Sequence, residues 1–148
     1  MQDRDKLSRI RTSKRLKPNA LESLINEGNV LYAQTKYDEA IACYDRILEV
    51  DPKNIDALNN KGLALSALAK HDEAIACYDR ILEVDPNYYF AWGNKGLALD
   101  NLAKYDEAIA CYDRVLDLHP ADFNAWHYKG NVLYAQTMTK PLHAMIKP

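Results

Sequence analysis

Three cysteines, Cys43, Cys77 and Cys111, recur at a 34-residue interval, and such a set first raises metal binding or disulfide formation. A structural zinc site needs four converging ligands, but His71, His119, His127 and His143 share no register. A disulfide needs Cα atoms within about 7 Å, whereas equivalent points on successive packed helical hairpins lie roughly 10 Å apart. The cysteines therefore read as packed or partly exposed free thiols, with no metal. The carboxylate pairs Asp38/Glu39, Asp72/Glu73 and Asp106/Glu107 could in principle do acid–base work. They are adjacent on a helix and recur with the same interval, which suits stabilisation of a helix N-terminus instead. No glycine-rich phosphate loop, nucleophile elbow or Cys–His pair occurs. No catalytic residue is assigned, no cofactor is expected, and the chain is not read as an enzyme. What remains is a column of asparagines, Asn26, Asn60 and Asn94, spaced by the same interval. Each carboxamide offers a donor and an acceptor, which is the chemistry for holding a peptide main chain.

The elements that carry these residues follow from one repeated unit. Gly28, Gly62, Gly96 and Gly130 keep the 34-residue interval, as do Pro18, Pro52, Pro86 and Pro120, and Ala40, Ala74 and Ala108. Asp38–Pro52 is identical to Asp72–Pro86 over fifteen residues, and Asp106–Pro120 matches both at eleven. Within the unit 21–54, Leu21, Leu24, Gly28 and Leu31 share a helical face. From Asp38 onward, Ala40, Ile41, Tyr44, Ile47 and Leu48 form an apolar stripe with a period of about 3.6. Thr35-Lys36-Tyr37 suits a tight turn, and Pro52 stops the second helix. The unit is an αα-hairpin, and one hairpin cannot bury both apolar faces, so stacking is obligatory. Glycine in mid-helix costs about 1 kcal/mol relative to alanine. Four recurrences at one position therefore argue for close packing rather than a flexible joint.

These spacings resemble the tetratricopeptide repeat, whose signature is a large residue at position 4, Gly or Ala at 8, an aromatic or Leu at 11, Ala at 20, an aromatic at 24 and Pro at 32. The third unit supplies Trp92, Gly96, Leu99, Ala108, Tyr112 and Pro120. The second supplies Leu58, Gly62, Leu65, Ala74, Tyr78 and Pro86, and the first Leu24, Gly28, Leu31, Ala40, Tyr44 and Pro52. Ile47, Ile81 and Val115 depart from the family's usual Ala at position 27. The resemblance implies an all-α solenoid of stacked hairpins in a right-handed superhelical array, with units 21–54, 55–88 and 89–122 and a lone first helix at 123–136. A basic arm at 1–20 and a divergent tail at 137–148 flank the array.

The resemblance also implies a protein-interaction module whose first helices line a concave groove through positions 2, 5, 6, 9, 12 and 13. Position 2 is Glu22, Asp56, Phe90 and Asn124; position 5 is Ile25, Asn59, Gly93 and His127. Position 9 is Asn29, Leu63, Leu97 and Asn131, and position 12 is Tyr32, Ser66, Asp100 and Tyr134. Position 6 is Asn26, Asn60, Asn94 and then Tyr128. Two explanations of this variety stay open: discrimination along a bound chain, or drift at solvent-facing positions. The asparagine column likewise fits either a main-chain ladder for a peptide or bonding within the array. The family's other groove, a clamp for a C-terminal carboxylate, uses Lys and Arg, and positions 2, 5, 9 and 13 contain neither here.

Charge points the same way. The net charge is −2, divided between +5 on residues 1–20 and −7 on the remainder. An acidic body repels nucleic acid and anionic membranes, and RNA-binding helical repeats need a basic groove. A peptide or partner protein is expected; nucleic acid and membrane are not. The basic arm reads as a solvated tail or as a docking segment. The N-terminus lacks the apolar core of a signal peptide, and the chain is expected in the cytoplasm. Gly130–Thr137 repeats Gly28–Thr35 letter for letter, after which Pro141 falls where a second helix would begin. With no polar capping helix evident, self-association through this uncapped end is a further expectation.

Overall fold

The structure, a computed structural model, describes residues 17–141. These residues form seven α-helices: α1 Pro18–Ala33, α2 Tyr37–Val50, α3 Ile55–Ala67, α4 His71–Val84, α5 Tyr89–Asn101, α6 Tyr105–Leu118 and α7 Phe123–Thr139. There is no strand among them. Residues 1–16 of the basic arm and most of the divergent tail lie outside the described residues, whereas residues 18–20, assigned to the arm by sequence, form the start of α1. Each helix packs on its immediate neighbours in the chain, so α1/α2, α3/α4 and α5/α6 are hairpins stacked in sequence, closed by α7. The fold is an all-α helical repeat solenoid.

Local chemistry sets the helix ends. Pro18 opens α1, where its missing N–H costs nothing and its fixed φ is already helical. Asp38/Glu39, Asp72/Glu73 and Asp106/Glu107 occupy the first turns of α2, α4 and α6, facing the positive end of each helix dipole. The Asn54 side chain caps α3 by accepting from the Ala57 N–H at 2.9 Å. Asp122 caps α7 in the same way, accepting from the Ala125 N–H at 2.8 Å. Inside each hairpin the first helix ends in a tight left-handed turn. The Lys36 N–H reaches the Leu31 carbonyl at 2.9 Å and the Thr35 N–H the Tyr32 carbonyl at 2.9 Å. The same pair of bonds closes the turns at Ala69 and Ala103. Thr35, Ala69 and Ala103 hold φ of 61°, 58° and 56°. That region favours glycine.

Packing within a hairpin is organised by one tyrosine. Tyr44, Tyr78 and Tyr112 are among the largest fully buried side chains, and their rings lie against Gly28, Gly62 and Gly96. A Cβ built at those glycines would come within 2.6, 2.6 and 2.8 Å of the ring. Glycine at position 8 therefore makes room for the tyrosine at position 24. Gly130 does not share this role: a Cβ there meets nothing within 4 Å. No tyrosine-bearing second helix follows α7 among the described residues, so the expectation of a packing role for all four glycines holds for three. Ala40, Ala74 and Ala108 are fully buried at the crossings. Pro52, Pro86 and Pro120 sit in the turns that lead into α3, α5 and α7.

Candidate functional site

Consecutive first helices touch directly, α1 on α3, α3 on α5 and α5 on α7. Their side chains at positions 2, 5, 6 and 9 thus share one face, on which the structure places two carboxamide pairs that bridge units. The Asn29 Oδ1 accepts two bonds, from the Tyr44 hydroxyl at 2.8 Å and from the Asn60 Nδ2 at 2.9 Å. One unit along, the Asn94 Nδ2 donates to the Asn59 Oδ1 at 3.2 Å. Asn60 and Asn94 are therefore tied to the preceding unit through one N–H each. A carboxamide has four hydrogen-bonding positions, so both retain a second N–H and an oxygen for other partners. Asn26 is exposed on α1.

Two concavities open beside these asparagines. One, of about 190 Å³, is lined by Asn29, Tyr32, Tyr44, Asn60 and Leu63. The other, of about 250 Å³, lies between α5 and α7 and is bounded by Phe90, Asn94, Leu97, Tyr112 and Tyr128 among others. Phe90 is 54% exposed, an uncommon state for so large an apolar ring. Tyr128 stacks on Tyr112 with centroids 6.0 Å apart. His127 and Asn131 belong to neither concavity. They lie exposed on α7, 3.1 Å apart, with the His127 ring near-parallel to Phe123.

Position 9 also decides the state of the buried tyrosines. Asn29 gives the Tyr44 hydroxyl an acceptor; Leu63 and Leu97, its equivalents, offer none. The hydroxyls of Tyr78 and Tyr112 are accordingly buried without a hydrogen-bond partner. Burial raises the phenols of Tyr44 and Tyr78 to about 12. Burial pushes the Tyr112 phenol upward as well, and Asp100 adds to that rise. Cys43, Cys77 and Cys111 are buried free thiols. Burial pushes all three up, Cys111 to about 11, which disfavours the reactive thiolate.

Several contacts were absent from the sequence-based expectation. Lys61, Lys95 and Lys129 each bind an aspartate of the preceding unit, Asp45, Asp79 and Asp113, at 2.6 Å. Lys95 and Lys129 also lie 5.6 Å from the Trp92 and Trp126 ring centroids. Those indoles donate to the Pro86 and Pro120 carbonyls at 2.8 and 2.9 Å. The lysine signal was present in the sequence: position 7 is Lys in the second, third and fourth units and Glu27 in the first. The ion pairs thus occupy the lysine that each of α3, α5 and α7 carries.

Family models for "TPR repeat" match residues 28–68, and for "Tetratricopeptide repeat" residues 55–88 and 89–122. No curated protein sequence matches the chain significantly. Among solved structures, the first TPR of Spaghetti (RPAP3) bound to the HSP90 peptide SRMEEVD is 30% identical with a TM-score of 0.77. That alignment covers 82% of this chain and 97% of the other. The first TPR domain of human RPAP3 is 31% identical, also with a TM-score of 0.77, over 82% of this chain and 95% of that one. The second TPR domain of human RPAP3, in complex with the HSP70 peptide SGPTIEEVD, is 27% identical with a TM-score of 0.73, over 77% and 95%. No helix among the described residues is long and apolar enough to cross a membrane.

Proposed function

Because the chain belongs to the tetratricopeptide-repeat family, we propose that it is a non-catalytic interaction module that holds an extended peptide in the groove of its first helices. The observation that carries this reading is the two inter-unit asparagine pairs. Asn29, Asn59, Asn60 and Asn94 are fixed by bonds between units, while Asn60 and Asn94 keep a donor and an acceptor unspent. Pre-positioned groups lose little conformational entropy when they bind. Similar domains bind the peptides SRMEEVD and SGPTIEEVD, which supports peptide binding as the general role. Those peptides end in acidic residues, whereas this groove carries Glu22, Asp56 and Asp100 and no Lys or Arg at positions 2, 5, 9 and 13. A neutral or basic peptide suits it better.

The test is capture from source-cell lysate by the wild type and by the triple variant Asn26→Ala/Asn60→Ala/Asn94→Ala, after circular dichroism establishes that both are folded. A partner held by the wild type and lost by the variant supports the groove. A partner held equally by both places recognition elsewhere.

A second reading, self-association through α7, is favoured by a separate observation. Phe123, Trp126, Leu133, Tyr134 and Met138 are all exposed on that helix, an apolar patch of the kind that marks interaction surfaces. Sedimentation across a hundredfold range of concentration tests it, since a constant monomer mass removes this reading.

A further inference from the structure

Gly93 differs from Gly28, Gly62 and Gly96. It stands in mid-helix, where glycine is destabilising, yet a Cβ there would meet only the Val115 side chain, at 4.0 Å. Ordinary contact distance means that packing does not demand glycine, unlike Gly28, Gly62 and Gly96 with their close tyrosine rings. The other units fill position 5 with Ile25, Asn59 and His127. In the third unit the place is vacated, and the concavity of about 250 Å³ opens there.

Four aromatic rings line it, with Asp122 and Asn124 also on the wall: Tyr89 and Phe90 lie 4.1 Å apart by ring centroids, and Tyr112 and Tyr128 stack on one another. Leu97 and Val115 complete the apolar lining. Tyr112 is 1% exposed, with its hydroxyl unpartnered. The volume falls below the roughly 300–1,000 Å³ of a site for a whole small molecule. It suits one large side chain.

Resting on the groove reading, we propose that Gly93 opens a specificity pocket for an aromatic side chain of the bound peptide. Aromatic rings gain from offset and edge contacts with such walls. Asn94, which also lines the pocket and retains a second N–H and its carbonyl oxygen, holds the main chain beside the anchor.

The test is selection of random twelve-residue peptides displayed on phage against the full chain, followed by fluorescence anisotropy of the enriched peptides. Gly93→Leu fills the pocket. Gly93→Asn installs the side chain that the second unit already tolerates at this position, and so guards against a folding failure. The expected result is an aromatic residue enriched at one fixed place, with binding weakened about tenfold or more in both variants. Enriched peptides without an aromatic preference, or bound equally by the folded variants, would overturn the pocket and leave the groove standing. If no peptide is enriched on any form of the chain, pocket and groove reading fall together.

Discussion

At the scale of single residues, identical letters do different work according to what lies opposite. Gly62 is pressed against Tyr78, and Gly130 faces open space. Gly62→Ala should therefore destabilise the array by about 1–3 kcal/mol through overpacking of a rigid ring. Gly130→Ala should stabilise by up to about 1 kcal/mol through helix propensity alone. Urea denaturation of the two variants checks the contrast, and equal effects would contradict it. The same dependence on neighbours appears at position 9, where Asn29 satisfies the Tyr44 hydroxyl while Leu63 and Leu97 leave Tyr78 and Tyr112 without a partner. The spacing of these residues was legible in the sequence. Which asparagine oxygen points inward was not, because a side-chain rotamer is settled only when the stack forms.

At the scale of the element, helices and turns were legible where periodicity and punctuation agreed. The apolar stripes of helical period marked α2, α4 and α6, and the acidic first turns marked their starts. The handedness of the hairpin turn was not legible. Thr35, Ala69 and Ala103 are ordinary residues in a left-handed conformation, and none announces it as glycine would. That conformation costs an L-residue roughly 1–2 kcal/mol. Ala69→Gly and Ala103→Gly should each raise stability, by about 1 kcal/mol or less after the added freedom of the unfolded chain is subtracted. A fall in the thermal midpoint of either variant would show that the turn is not strained. The pocket beside Gly93 was hidden for a related reason: a glycine that opens space and one that permits contact look alike in a sequence.

For the whole molecule, stability is a sum of units and the interfaces between them. Each unit repeats one pattern, a glycine–tyrosine contact within the hairpin and a lysine–aspartate pair across to the next. The pairs are partly exposed, so each contributes only about 0.2–1 kcal/mol, and burial of the apolar core carries most of the energy. Those tyrosines also set the response to alkali. Burial holds the Tyr44 and Tyr78 phenols at about 12, against an ordinary 10, and Cys111 at about 11, against 9. A group whose pKa is raised on folding by burial of its neutral form stabilises the fold fully below its unfolded pKa. That stabilisation is lost as pH climbs through the folded value. Stability should therefore hold to about pH 9 and fall steeply between about pH 9 and 12. Thermal melts at pH 8, 10 and 11.5 would reveal the window, and a flat profile would contradict the burial of these rings.

The same interfaces fix the inner face on which the proposed function rests. The most direct measurement is an amide chemical-shift map of the isotope-labelled chain, titrated with the tightest peptide from the display selection. The asparagine pairs predict that shifts concentrate on the first helices, at Asn29, Asn60, Leu63, Asn94 and Leu97, with α2, α4 and α6 little changed. Shifts centred on the second helices, or confined to the exposed residues of α7, would contradict a peptide-binding groove.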